Sequence, residues 1–469
     1  MTRALCVTLL AAVAASVAQA LLGLEFNYYP RCYYSDGTLC PLSSIEIPEP
    51  KTSALVFPGG KTRCAFNDFM SDQAGLLTNG TFFFELMPKP SSKKLMIYWQ
   101  GGGACLDDVT CNFAFQCASP TRTFATFPFP YDGGILNPRD PMNPFHDWNI
   151  VHIPYCTGDL HAGNKVAPAT EDPILSLFNR PDCLGQNQTT NLRGLENSVA
   201  TLKWARANFP DVEHIVLSGT SAGSLASQLL SSYVSDLWDV KASGKRLSIV
   251  ADSYVGVLPA NREAGKVLNY FGTCDADIKL PPSVASACKD ESLTVKQFGT
   301  TVLSTHPHIE WLFINSKGDS TQRLFYELAR VGPFGFPFPN MPTAEEFYEE
   351  MVKILDSYKA VSSKVTTFFS PGTDHTLVLD NFWYDRLSVE GEKMGDVIRR
   401  FLRASNSPTL TPSPTSPANP SQQPTQPTSN PSQQPTKPTS NPSQQPTKPT
   451  SNPSQQPPAS SSPPDRPSC

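Results

Sequence analysis

The run His214–Leu230, HIVLSGTSAGSLASQLL, constrains the fold more than any other stretch of the chain. It opens as an apolar, β-branched strand pattern, breaks at Gly219, and resumes with small residues and leucines. Gly219-Thr220-Ser221-Ala222-Gly223 therefore sits where a buried strand turns directly into a helix. Such a turn is sharp and strained, and it tolerates only small neighbours because the two backbones crowd. A chain containing it is committed to a buried strand with a helix crossing it, which is the unit of an α/β sheet.

The surrounding sequence repeats that unit. Apolar runs at Leu95–Trp99, Ile150–Pro154, His214–Ser218, Leu247–Asp252, Trp311–Asn315 and Val365–Phe369 read as buried strands. Helical patterns lie between or after them at Leu192–Asn208, Ala222–Val234, Ser320–Arg330, Ala344–Tyr358 and Gly395–Arg403. Strands alternating with helices predict an α/β fold with a mainly parallel sheet flanked by helices. Ala54–Phe57 and Phe82–Leu86 are expected to add antiparallel strands at one edge. Gly256–Gln297 shows little periodicity and holds two cysteines, so it reads as an inserted cap.

The termini differ from this domain. Residues 1–20 carry Arg3, an apolar stretch and a small-x-small site at Ala18-Gln19-Ala20, the pattern of a secretory signal peptide. No later segment is apolar over the length needed to span a bilayer. From residue 405 to 469 the chain is dominated by Pro, Ser, Thr and Gln, with an 11-residue repeat starting at Asn419, Asn430, Asn441 and Asn452. That composition cannot bury enough surface to offset chain entropy, so the tail is expected to be disordered, either a solvated spacer or an attachment to a wall or matrix. Residues 21–404 are then one large domain.

Export fits the cysteines. Of twelve, setting aside Cys6 in the leader and Cys469 at the terminus leaves ten, an even number that implies disulfides in a secreted domain. Cys105–Cys111 and Cys274–Cys288 are close enough in sequence to be local staples. No Cys-x-x-Cys pair exists and the histidines are scattered, which argues against zinc. Asn79 and Asn187 head Asn-x-Thr glycosylation acceptors. A net charge of −5 argues against a nucleic-acid or polybasic membrane surface.

The glycine-flanked serine has the context of a nucleophile elbow, in which Ser221 stands above the sheet at the positive end of the following helix. A serine needs a base, and the base needs an orienting acid. Three histidines follow it: His306, His308 and His375. His375, in FFSPGTDHTLV after the last apolar run, has the position a base requires. Asp319 in WLFINSKGDSTQ and Asp252 in SIVADSYVG both sit at strand ends and are both candidates for the acid; Asp374, adjacent to His375, is a poorer one. Gly101-Gly102-Gly103, after the early strand ending at Trp99, offers backbone N–H groups to an oxyanion; Gly102, Gly103 and Ala222 are the expected donors.

Taken together, WQGGGACLDDVTC, IPYCTGDLHAG, GTSAGS, ADSYVG, NSKGDSTQ and PGTDH resemble, in order and spacing, the pectin acetylesterase/notum family over roughly residues 24–404. The resemblance implies an α/β-hydrolase-like serine esterase in which Ser221 is the nucleophile, Asp319 the acid and His375 the base, with Asp252 near the pocket. It implies the same oxyanion donors. Plant and microbial members look like deacetylases of cell-wall pectin, and the animal member removes a fatty acyl group from a secreted signalling protein. Gly103 stands where the animal member has an aromatic, which favours a small acyl group. Ser224 replaces a glycine common in the family, and Leu106 replaces an aromatic. Asp159 and His161 follow a strand end and are candidates to bind sugar hydroxyls or a uronate, or else belong to a structural turn.

The expectation is thus a secreted, extracellular, monomeric esterase needing no cofactor or metal and acting on an acetylated, acidic polysaccharide. The alternatives are a lipid or protein deacylase with the same triad, a non-catalytic carbohydrate-binding protein, and a structural role through the tail. An enlarged apolar pocket would favour the deacylase.

Overall fold

The computed structural model describes residues 31–34, 40–47, 52–65, 81–106, 133–168, 189–332, 335–380 and 382–403. The leader, Asn79, Cys111, Asn187 and the repeat region lie outside the described residues. The strands, in chain order, are β1 (Arg31–Tyr33), β2 (Ala54–Phe57), β3 (Phe84–Met87), β4 (Lys94–Trp99), β5 (Asn149–Ile153), β6 (Lys165–Ala167), β7 (Thr190–Leu192), β8 (His214–Thr220), β9 (Arg246–Asp252), β10 (Glu310–Ser316) and β11 (Val365–Ser370). Nine of them form one sheet in the order β1-β2-β3-β5-β4-β8-β9-β10-β11, and β6 pairs β7 separately.

Every pairing from β5 to β11 is parallel, and β3 alone runs against both its neighbours. The edge strands read from Ala54–Phe57 and Phe82–Leu86 are therefore present, the second starting at Phe84. Continuous apolar strands need cover on both faces. Leu95, Ile97 and Trp99 of β4 join one core with Ile215, Leu217, Ile249 and Phe313, while Met96 and Tyr98 join the opposite core with Val216, Val250, Leu312 and Phe368. The strand period of two divides each run between the two layers. The result is an α/β-hydrolase-like sheet flanked by helices.

One helical reading needs correction, and one stretch read without helices contains them. Ala222–Val234 is two helices, Ala222–Leu229 and Ser231–Leu237, parted at Leu230. Ser227 Oγ donates to the Ser224 carbonyl and Ser231 Oγ to that of Gln228, bonds that compete with the helical ladder. The low-periodicity stretch after Gly256 contains helices Ala264–Tyr270, Pro282–Lys289 and Val295–Thr305. The first two are too short to give a periodic signal, and Cys274–Cys288 staples the segment.

Cys32–Cys40 and Cys64–Cys156 are also bridged, and Cys105 is disulfide-bonded. Among the described residues no group of His, Cys, Asp and Glu could hold a metal, and no helix is long and apolar enough to cross a membrane.

The amino ends of the parallel strands carry a polar anchor. Arg246, the first residue of β9, donates to Glu310 Oε2 at 2.8 Å through Nε and to the carbonyls of Phe401 and Leu402. It thereby caps the last turn of helix Met394–Arg403.

Candidate active site

The carboxyl ends of β4, β8, β9, β10 and β11 converge on one pocket. Ser221 follows β8 directly, at φ 53° and ψ −120°, and is the N-cap of helix Ala222–Leu229. A non-glycine residue in that region is strained and held by its surroundings. Here its N–H donates to the Asp252 carbonyl at 2.9 Å. Gly219 and Gly223 are required by space. A Cβ on Gly219 would lie 2.3 Å from the Gly223 carbonyl oxygen, and one on Gly223 would lie 1.9 Å from that of Trp99. Gly223→Ala is accordingly expected to destabilise the fold by about 3 kcal/mol, as overpacking against rigid backbone does. An unchanged urea midpoint would show instead that the elbow relaxes freely.

His375 Nδ1 donates to Asp319 Oδ2 at 2.8 Å. This bond fixes the tautomer in which Nε2 carries a lone pair and can accept a proton. Asp319 is fully buried. Its Oδ1 accepts from the N–H groups of Thr321 and Gln322 at 3.0 and 2.9 Å, capping helix Ser320–Val331, and its Oδ2 also accepts from Gln322 Nε2 at 2.8 Å. The acid and base loops are laced together by Gly318 N–H to Gly372 O at 2.9 Å and Ser320 N–H to Thr373 O at 3.1 Å. Of the two acids left open by chain position, Asp319 is the one bonded to His375.

Ser221, Ala222, Gly103 and His375 line the same pocket. No hydrogen bond joins Ser221 Oγ to His375 among the described residues. Gly102, Gly103 and Ala222 donate to no backbone carbonyl among the described residues. Their N–H groups thus have the free state an oxyanion hole needs. A Cβ on Gly102 would meet the Tyr155 ring at 2.4 Å, and Gly103 has φ 81° with Phe325 at 3.0 Å from a Cβ position. At Gly102 the Tyr155 ring leaves no room for a side chain, whereas at Gly103 the positive φ is the constraint and the Phe325 ring would have to yield only slightly.

The pocket has a volume of about 100 Å³, and its walls beyond the polar end are apolar: Leu225, Val257, Val267, Phe298 and Phe325 among them. Gly103 lines this pocket but brings no side chain to it. Phe325, from helix Ser320–Val331, supplies an aromatic wall, and the glycine loop, the elbow helix and the cap helices supply others. Three-dimensional pairing of distant segments builds that wall, so no local motif announces it.

Asp159 and His161 are placed differently from the sugar contact considered for them. Both are buried, and neither lines the pocket. Asp159 accepts from Thr157 Oγ1 at 2.6 Å and from the Gly194 N–H at 2.8 Å, and burial pushes its carboxyl up to about 6. His161 Nε2 donates to the Gln100 carbonyl at 2.8 Å, and burial pushes its imidazole down to about 3, so it stays neutral. Both hold a scaffold: Cys105 N–H bonds to Gly158 O at 2.8 Å, and Leu160 N–H to Tyr155 Oη at 2.8 Å. That scaffold carries the glycine loop.

Asp252 is also buried and absent from the pocket wall. Its Oδ2 accepts from the N–H groups of Leu377 and Val378 at 2.8 and 3.0 Å, and its Oδ1 from Ser253 Oγ at 2.8 Å.

Against known proteins, the family described as pectinacetylesterase matches residues 78–322. The palmitoleoyl-protein carboxylesterase NOTUM of Drosophila melanogaster is 37% identical over 91 residues, covering 19% of this chain and 14% of that protein. Pectin acetylesterase 7 of Arabidopsis thaliana is 28% identical over 137 residues, covering 29% of this chain and 30% of that protein. The chain thus matches less than a third of the length of these relatives. The solved structure of the Wnt deacylase Notum from Drosophila aligns at 18% identity over 74% of this chain and 94% of that one, with a TM-score of 0.49.

Proposed function

The chain belongs to the pectinacetylesterase family of carboxylic ester hydrolases, and on that premise we propose that it cleaves esters through Ser221, His375 and Asp319 and prefers an apolar acyl group longer than acetyl. The observation that carries the proposal is one pocket lined by Ser221 and His375 at its polar end and by aliphatic and aromatic side chains beyond. Ser221 Oγ attacks the ester carbonyl carbon while His375 Nε2 takes its proton. Asp319 stabilises the imidazolium that forms, and the N–H groups of Gly102, Gly103 and Ala222 receive the oxyanion. The proton passes to the departing alcohol, and water then releases the acyl group from Ser221. The disulfides fit an oxidising compartment, which supports an extracellular site of action.

The cavity of about 100 Å³ is comparable to the ~150 Å³ apolar cavity that holds a benzene molecule, which leaves room for a chain of about four to six carbons. Each buried methylene contributes about 0.8 kcal/mol. On p-nitrophenyl esters, kcat/KM is expected to rise about 15-fold from acetate to butyrate and to level off beyond hexanoate. A second reading, deacetylation of a cell-wall polysaccharide, is favoured by the family's description and by the plant relatives named pectin acetylesterases. Acetate matching or exceeding butyrate, with acetate released from acetylated pectin, would establish that reading and sink the first.

A further inference from the structure

Asp252 is a buried carboxylate that the proposed chemistry does not use, and it touches both halves of the site. It ends β9, between the strand that delivers Ser221 and the strand that precedes Asp319. Its backbone carbonyl accepts the Ser221 N–H at 2.9 Å, at the one residue of the elbow with positive φ. Its side chain accepts the N–H groups of Leu377 and Val378, two and three residues past His375. On its other side, the His375 loop is tied to the acid loop through Gly372 and Thr373. His375 therefore hangs between two anchors, and the second of them is the residue that also holds the nucleophile.

We propose that Asp252 is a positioning residue: its carboxylate clamps the segment after His375 so that the imidazole stays in register with the serine held by the same residue's carbonyl. This rests on the reading of Ser221 and His375 given above. Both loops follow separate strands and cross no other common residue among these bonds. Misplacing a reacting group by about 1 Å costs on the order of 100-fold in rate. Removing the clamp acts on the alignment of base and nucleophile. It leaves the acyl pocket, which Asp252 does not line, unchanged.

The test uses the full chain and three variants, with p-nitrophenyl butyrate turnover and the rate of Ser221 labelling by a fluorophosphonate. Asp252→Ala is expected to lower kcat about 30–100-fold with KM within twofold, and to slow labelling in proportion. Asp252→Asn can present its amide oxygen to Leu377 and Val378 and its NH₂ to Ser253 Oγ, so it is expected to retain kcat within about threefold. Ser253→Ala removes one bond from the carboxylate and is expected to lower kcat by about threefold at unchanged KM. If Asp252→Ala does not fold, Ser253→Ala and Asp252→Asn decide. Wild-type kcat in folded Asp252→Ala or in Ser253→Ala overturns the proposal. So does a rise in KM at constant kcat, or a loss in Asp252→Asn equal to that in Asp252→Ala, which would make charge rather than geometry the agent. Ser221→Ala is run alongside: activity surviving there defeats the nucleophile assignment itself, whereas its loss with Asp252→Ala unaffected defeats the clamp alone.

Discussion

Ser221→Ala is expected to lower kcat by about 10⁶-fold on any ester, with KM within a few-fold of the wild type. The hydroxyl forms its new bond only as the reaction proceeds, so its removal takes away transition-state stabilisation and little ground-state binding. What survives comes from the oxyanion donors and from holding the ester in place. The fold should be untouched. Ser221 Oγ has no hydrogen-bond partner among the described residues, alanine keeps the same Cβ, and the strain at φ 53° is common to both residues. Thermal unfolding and single-turnover hydrolysis measured on the same sample separate the two effects. Turnover within 100-fold of the wild type would remove Ser221 from the mechanism.

Asp319→Asn should lower kcat about 10⁴-fold without unfolding the protein, and the reason lies in how the carboxylate is shared. One oxygen caps helix Ser320–Val331 through two N–H groups, and the other faces His375 Nδ1. An asparagine has one acceptor oxygen to offer. The helix end presents only donors, so the amide oxygen goes there and the NH₂ turns toward His375. Nδ1 must then accept, which places the ring proton on Nε2 and removes the lone pair that the serine needs. Asp319→Ala adds the loss of the cap, about 1 kcal/mol or more. A lower unfolding midpoint for Ala than for Asn, with comparable loss of kcat, is the expected pair of results. Full activity in the Asn variant would mean that His375 is oriented by something else.

Much of the architecture is legible without coordinates because buried strands and helices announce themselves locally. Leu247–Asp252 and Trp311–Asn315 each gain one residue at the front, and Trp311–Asn315 one more at the back. The elbow is legible for the same reason: strand, turn and helix are consecutive. What escapes local reading is lateral. Asp252 and Asp319 each lie at or just past the end of neighbouring strands, and only the distance across the sheet assigns one to the imidazole and the other to the backbone beyond it. Cys64 and Cys156 are 92 residues apart, so their pairing has no trace in spacing. Asp159 and His161 carry the polar atoms of a sugar site, and only burial shows that the protein itself consumes them. The apolar pocket draws walls from the glycine loop, the elbow helix, the cap and helix Ser320–Val331, and no single one of these segments announces a pocket.

Arg246 and Asp252 are the two ends of β9, separated by about 20 Å of extended chain. The anchor that Arg246 makes with Phe401 and Leu402 gives this strand a mechanical meaning. The guanidinium ties the end of helix Met394–Arg403 both to β9 and, through Glu310, to the start of β10. Strand β9 is hydrogen-bonded along its length to β8 on one side and β10 on the other. A displacement along β9 would therefore have to shear two parallel ladders at once. The helix that closes the described chain is thus fastened at the opposite end of β9 from Asp252, and a disturbance there has the whole strand to cross before it reaches the bond to Ser221.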